Sequence, residues 1–224
     1  MKILIPSIIA FAIVASIVPT RLNAQTIAKW TFETSIPSTS GPYSPETGSG
    51  SASGSHSGAS IYTSPAGNGS LHSFSATNWA VGDLWQLSSS TVGYSGIQLE
   101  WDQISSGTGP KNFDLTYSTD GTTYLPILSY SVLVNASPNT WSTATFSPAS
   151  HFSVDLSTFT DLNNAASVFF RLTDNSTTSA AGGTTAFGGT DRLDNFTIEV
   201  VPEPASVALL GLGCAAVVAF RRRS

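Results

Sequence analysis

The chain has 224 residues, 41% hydrophobic and only 10% charged, with fourteen acidic against nine basic residues and a formal net charge of −5. Five of the nine basic residues lie near the ends (Lys2, Arg21, Arg221, Arg222 and Arg223), so the stretch between carries four cations against all fourteen acids, a net charge of −10. That balance argues against nucleic acid or anionic lipid as a partner of the middle region, and the lone Cys214 rules out an internal disulfide.

Residues 1–24 read as a signal peptide. Lys2 is a minimal basic head, Ile3 to Val18 is apolar, and Pro19 to Ala24 breaks the run and ends on the small residue expected at a cleavage site. The exported domain is therefore expected over 25–200, a length that suits one domain. Thr26 to Glu33 alternates, with Ala28, Trp30 and Phe32 on one face, as a half-buried strand requires. Residues 35–60 are rich in Ser, Gly and Pro and read as a flexible low-complexity loop. Leu71–Phe74 and Asp83–Ser88 are short predicted strands. Gly96–Ile104 alternates Ile97, Leu99 and Trp101 against Gln98, Glu100 and Asp102, a strand with an acidic outer face.

A hairpin follows. Phe113, Leu115 and Tyr117 alternate with polar residues, Asp120-Gly121 supplies a turn tolerant of positive φ, and the chain resumes as a strand over Tyr124–Val134, where Pro126 points to an edge or a bulge. Further strands are predicted at Trp141–Phe146, His151–Leu156, Ser167–Thr173 and Arg192–Val201, with one helical turn over Asp161–Ala166. Short strands at regular spacing without an amphipathic helix define an all-β sandwich, and a jelly-roll topology would place the first and last strands side by side.

The tail, residues 201–224, has three parts in a fixed order: Val201-Pro202-Glu203-Pro204, an apolar run with a membrane helix expected over 205–220, and Arg221-Arg222-Arg223. The prolines hold the first part extended, and three arginines favour the cytoplasmic side. The helix would cover about 24 Å at ~1.5 Å per residue, short of the ~30 Å of a bilayer core. This tail resembles the PEP-CTERM sorting signal, a tail also known as the C-terminal region of some ice-binding proteins. The resemblance implies an exported protein, held transiently in the membrane and processed near Pro204 by an exosortase, a membrane-embedded cysteine protease. The destination it implies is the cell surface or extracellular matrix.

The middle region, through Trp30-Thr31-Phe32-Glu33, Ala66-Gly67-Asn68-Gly69-Ser70 and Arg192-Leu193-Asp194-Asn195-Phe196, is similar to galactose-binding-like jelly rolls. These have a carboxylate at the end of the first strand and an Asp-Asn pair in the last. Two binding readings follow. One is a structural calcium ion held by Glu33 and Asp194 with Asn68, oxygen ligands that suit it. The other is carbohydrate stacked on exposed aromatics, with Trp79 and Trp85 flanking Gly82-Asp83 as the platform.

Catalytic candidates are few. His56, His72 and His151 are scattered, no Gly-x-Ser-x-Gly precedes a helix, and Glu100/Asp102 are explained as a solvated strand face. The expected function is that of a non-enzymatic structural or adhesive protein of the surface or exopolysaccharide matrix. Its partners are an exosortase, the export machinery and extracellular polysaccharide, and no nucleic acid. A carbohydrate-binding module is the alternative and a glycan-active enzyme the less favoured third.

Overall fold

The computed structural model describes residues 24–201. The expected signal peptide, apart from Ala24, and the tail from Pro202 onward, with the helix at 205–220 and the motif residues Pro202, Glu203, Pro204 and Arg221–Arg223, lie outside the described residues. In chain order the strands are β1 (Gln25–Trp30), β2 (Thr47–Gly48), β3 (Ser51–Ser55), β4 (Tyr62–Thr63), β5 (Phe74–Thr77), β6 (Leu84–Ser89) and β7 (Ile97–Ser105). They continue as β8 (Asn112–Ser118), β9 (Leu125–Ser131), β10 (Leu133–Val134), β11 (His151–Asp155), β12 (Val168–Asp174) and β13 (Thr190–Val200).

Two sheets face each other. The larger runs β10-β7-β13-β1-β2, with β11 also on β7, and β5 joining β13 and carrying β4. The smaller runs β3-β6-β12-β8-β9. The chain crosses between sheets after β2, β3, β5, β6, β7, β9, β11 and β12, so that strands distant in sequence become neighbours, as in a jelly roll. The expected pairing of first and last strands is present: β1 and β13 are antiparallel, from Gln25 opposite Val200 to Trp30 opposite Phe196.

Alternation fixes which side chains meet between the sheets. Trp85, Leu87, Phe113, Leu115, Phe170 and Leu172 point inward from the smaller sheet, and Trp30, Leu99, Trp101, Leu193, Phe196 and Ile198 are buried on the larger one. Each large apolar side chain so buried contributes about 1.5–3 kcal/mol. The centre is aromatic: Trp85 lies 4.3 Å from Phe74 and 5.1 Å from Trp79 between ring centroids.

One polar network crosses this core. Asp191 Oδ1 on β13 accepts from Trp85 Nε1 on β6 at 2.6 Å and from Gln103 Nε2 on β7 at 3.0 Å, and Oδ2 accepts from Ser105 Oγ at 2.9 Å. Gln103 Oε1 in turn accepts from Tyr130 OH on β9 at 2.6 Å. Burial pushes the Asp191 carboxyl up to about 7 despite these donors.

The hairpin expected around Asp120-Gly121 is β8–β9, with Gly121 at φ +75 and a register shift between Leu115 and Thr116. Thr116 faces Pro126, and β9 is the sheet edge, so both devices expected of Pro126 occur together. The helical turn is a short 3-10 segment, Thr160–Leu162.

Three expectations are corrected. The Ser/Gly-rich 35–60 segment contains β2 and β3, because its small residues fit where larger ones cannot. A Cβ on Gly54 would sit 2.9 Å from the Trp85 ring and 2.7 Å from that of Tyr62. Residues 141–146 form a loop rather than a strand, with Trp141 buried as a plug whose Nε1 donates to Ser150 Oγ at 2.7 Å. His56 is not solvated: its side chain is 1% exposed, its ring lies 4.4 Å from Trp79, and Nδ1 is 2.6 Å from Ser60 Oγ and 3.6 Å from Asp83 Oδ2. Burial holds this imidazole below its ordinary pKa against the pull of Asp83.

Candidate functional site

The tryptophan platform is overturned. Trp79 is 5% and Trp85 0% exposed, and Trp30, Trp101 and Trp141 are buried with them. Every indole N–H has an internal acceptor: Tyr43 O, Ala76 O, Asp191, Gln103 and Ser150 serve Trp30, Trp79, Trp85, Trp101 and Trp141 respectively. A ring of this size, with its one polar atom satisfied inside, is more stable in the core than on a loop.

Asp194 and Asn68 do meet, on the outer face of the larger sheet. Asp194 Oδ2 accepts from Asn68 N at 2.9 Å, Ser70 Oγ at 2.7 Å and Asn195 Nδ2 at 3.2 Å, while Oδ1 accepts from Asn195 N at 2.7 Å. The Asn68 side chain is spent on Ser147, donating to its carbonyl at 3.1 Å and accepting from its amide at 2.6 Å. Glu33 stands apart by one link, its Oε1 accepting from His72 N at 2.8 Å, while Ser70 Oγ also approaches His72 O at 3.1 Å. Each of these oxygens faces an N–H or O–H. A calcium ion would enter this set only by displacing those donors. Among the described residues no group of three or more His, Cys, Asp or Glu is arranged to hold a metal.

Asp102 sits beside Asp194 across β7 and β13, where β13 bulges and Asn195 takes φ +50. Asp102 is therefore no solvated edge residue: it is fully buried, with Oδ1 2.8 Å from His151 Nδ1 and Oδ2 accepting from Asn195 Nδ2 at 2.8 Å. Burial raises its carboxyl, and burial pushes Asp194 up to about 7, with the neighbouring Asp102 adding to the effect. The His151 side chain is 34% exposed, and a buried carboxylate orienting a half-exposed imidazole is the geometry of a base. Among the described residues no hydroxyl or thiol is hydrogen-bonded to its other nitrogen, so the chemistry visible here is the pinning of two loops, 66–70 and 141–150, onto the sheet.

The outer face of the smaller sheet has a different character. Pairing places Ser53, Gln86, Arg171 and Thr116 in one outward row across β3, β6, β12 and β8, and Ser51, Ser88, Phe169 and Ser118 in the next. Tyr124, from the hairpin turn, lies across the first row: the Arg171 guanidinium carbon is 3.6 Å from its ring centroid, and its hydroxyl donates to Gln86 Oε1 at 3.1 Å. Arg171 Nε donates to the same oxygen at 2.8 Å. Phe169 is half-buried; a Cβ on Gly121 would lie 3.3 Å from its ring. Phe169 also lines an open depression of about 210 Å³, with Ser49, Gly50, Ser88, Ser90 and Ser167 around it. An apolar ring face, several hydroxyls and a fixed guanidinium on one rigid sheet suit a polyhydroxylated ligand. Sequence reasoning missed this face. Its only signal is the alternation of Phe169 and Arg171 within β12, hidden by the apolar run Val168-Phe169-Phe170.

Residues 200–223 match the model of the PEP-CTERM protein-sorting motif. The chain thus carries the sorting signal of an exported protein. No curated protein matches the chain. Among solved structures it is similar to the K1 cleaved adhesin domain of Lys-gingipain from Porphyromonas gingivalis, at 14% identity and a TM-score of 0.44 over 77% of this chain and 97% of that one. It is also similar to the CBM22-2 xylan-binding domain from Paenibacillus barcinonensis Xyn10C, at 10% identity and a TM-score of 0.48 over 78% and 99%. At this level the likeness carries no functional argument, since such folds host many activities.

Proposed function

We propose that the protein is a non-catalytic component of the cell surface or exopolysaccharide matrix that holds polysaccharide on the outer face of its smaller sheet. An exosortase processes it near Pro204. The observation that carries this reading is the placement of Phe169, Arg171, Gln86 and Tyr124 on one face beside the serine-lined depression. The sorting motif, the signal of an exported protein, supports this reading.

Affinity gel electrophoresis of the purified protein in gels cast with extracellular polysaccharide tests the binding, retardation being the expected result. Equal mobility with and without polymer would leave a purely structural role. Intact mass of the native protein tests the processing: residues 1–24 and those after Pro204 should be missing from material at the surface or in the medium.

A further inference from the structure

The binding face carries information on the charge of its ligand. Of the four cations in the exported stretch, Arg171 is the one that lies on the outer rows of the smaller sheet. It is held from two sides, by the Tyr124 ring and by Gln86 Oε1, which removes much of the side-chain freedom that binding would otherwise cost. Among the described residues only its Nε is hydrogen-bonded. Among the described residues no carboxylate forms an ion pair with it; the two charged contacts present belong to His56 and His151.

The carboxylates of the adjoining hairpin are each engaged elsewhere through Oδ1. Asp114 Oδ1 accepts from Ser129 Oγ and Asn175 Nδ2, and Asp120 Oδ1 accepts from Ser118 Oγ and from the amides of Thr122 and Thr123. In a domain with thirteen acids and four cations, a pre-set guanidinium without a carboxylate partner is an unfilled anion site. Two strand residues away, roughly 7 Å along β12, Phe169 lines the depression, so one sugar unit can reach both.

Resting on the polysaccharide reading above, we propose that the polymer is acidic: a uronate-type carboxylate takes the free edge of Arg171 while the sugar ring lies on Phe169 and its hydroxyls meet the serines of the depression. The rest of the domain is strongly negative, so attraction is confined to this point.

The test uses extracellular polysaccharide from the producing cells, before and after carboxyl reduction, which turns each uronate into the neutral sugar without cutting the backbone. The wild-type protein should bind the untreated polymer and lose roughly tenfold in affinity on the reduced one, the loss expected for a charge-assisted pair. Arg171→Gln should show a similar loss on the untreated polymer and none further on the reduced one, and Arg171→Lys, which keeps the charge but not the fork, should fall between. Melting midpoints of both variants confirm folding, and the wild-type comparison of the two polymers stands even if neither variant folds. Equal binding to both polymers, or unchanged binding by Arg171→Gln, overturns the acidic-ligand proposal and leaves polysaccharide binding in place. Binding to neither polymer removes both.

Discussion

Trp85 and Asp191 are joined across the sandwich by a 2.6 Å hydrogen bond from indole to carboxylate, one residue from each sheet. The bond ties the sheets at their aromatic centre and makes the core depend on the state of one acid. Asn at 191 can reproduce the pattern: its carbonyl oxygen would accept from Trp85 and Gln103, and its amide would donate to Ser105 Oγ. Asp191→Ala strands those three buried groups and should cost about 2–4 kcal/mol. Asp191→Asn should be far milder and at pH 8 neutral or stabilising. Urea unfolding of the two variants is the check; equal losses would mean that the carboxylate charge itself is needed.

The pH dependence follows from the same burial. Asp191 and Asp194 are pushed up to about 7, Asp174 to about 6, and Asp102 is also raised. Unfolded aspartates titrate near 3.9, so the folded state holds protons that the unfolded state has released. The stabilisation is complete below about pH 4 and is lost as pH rises through about 6 and about 7. His56, held below its ordinary value, opposes this in the same window, and Glu46, Asp120 and Asp155, also held below theirs, oppose it at more acid pH. The melting midpoint should be higher at pH 5 than at pH 8, with a free-energy difference on the order of a few kcal/mol. A midpoint that climbs with pH instead would contradict the burial of these acids.

Aromatic residues divide into two kinds by location. Trp85→Ala should cost about 3–5 kcal/mol, because it empties the centre of the core. Phe169→Ala should keep the fold within about 1 kcal/mol, since the ring is only partly buried, yet should abolish retardation in polysaccharide gels. Calorimetry beside affinity electrophoresis separates the two. Loss of binding in a Phe169→Ala protein that melts several degrees low would count against a direct role for the ring.

Gly54 is a packing requirement of the edge strand β3. A valine there would be forced into the rings of Trp85 and Tyr62 and should cost about 1–3 kcal/mol. Hydrogen exchange would then show β3 opening before the rest of the smaller sheet. Uniform exchange across both sheets would instead tie β3 to the global fold.

Replacing Pro202, Glu203 and Pro204 by alanine should leave the tail uncut, and intact mass should show Arg221–Arg223 retained on protein in the membrane fraction. A trimmed product from this variant would move the recognition elements to the apolar run and the arginines.

Where one strand's own alternation decides burial, the sequence was readable. Phe113-Asp114-Leu115-Thr116-Tyr117 announced β8, and Thr26 to Trp30 announced β1 and, through jelly-roll topology, its pairing with β13. Where a second layer decides, it was not. Asp102 alternates as an outward residue and does point outward, but the loops at 66–70 and 141–150 close over it. His56 is buried because Trp79, a residue of another loop, packs on its ring. Ser51–Ser55 pairs because its lack of bulk lets it approach Trp85, a property that composition alone renders as flexibility. The proposed binding face was illegible for a related reason: it takes Gln86, Tyr124 and Arg171 from three separate segments, and no spacing links them.

The pairing of Gln25 with Val200 has a mechanical consequence. The sorting tail leaves the domain directly from β13, which is bonded to β1 on one side and to β7 on the other, and Val201 N still donates to Gly96 O at 2.7 Å. A load applied at Val201 along β13 acts on an eleven-residue strand inside its sheet, so the bonds to both neighbours are loaded together in shear. Load entering at Val201 is thus met by the most extensively paired strand among the described residues.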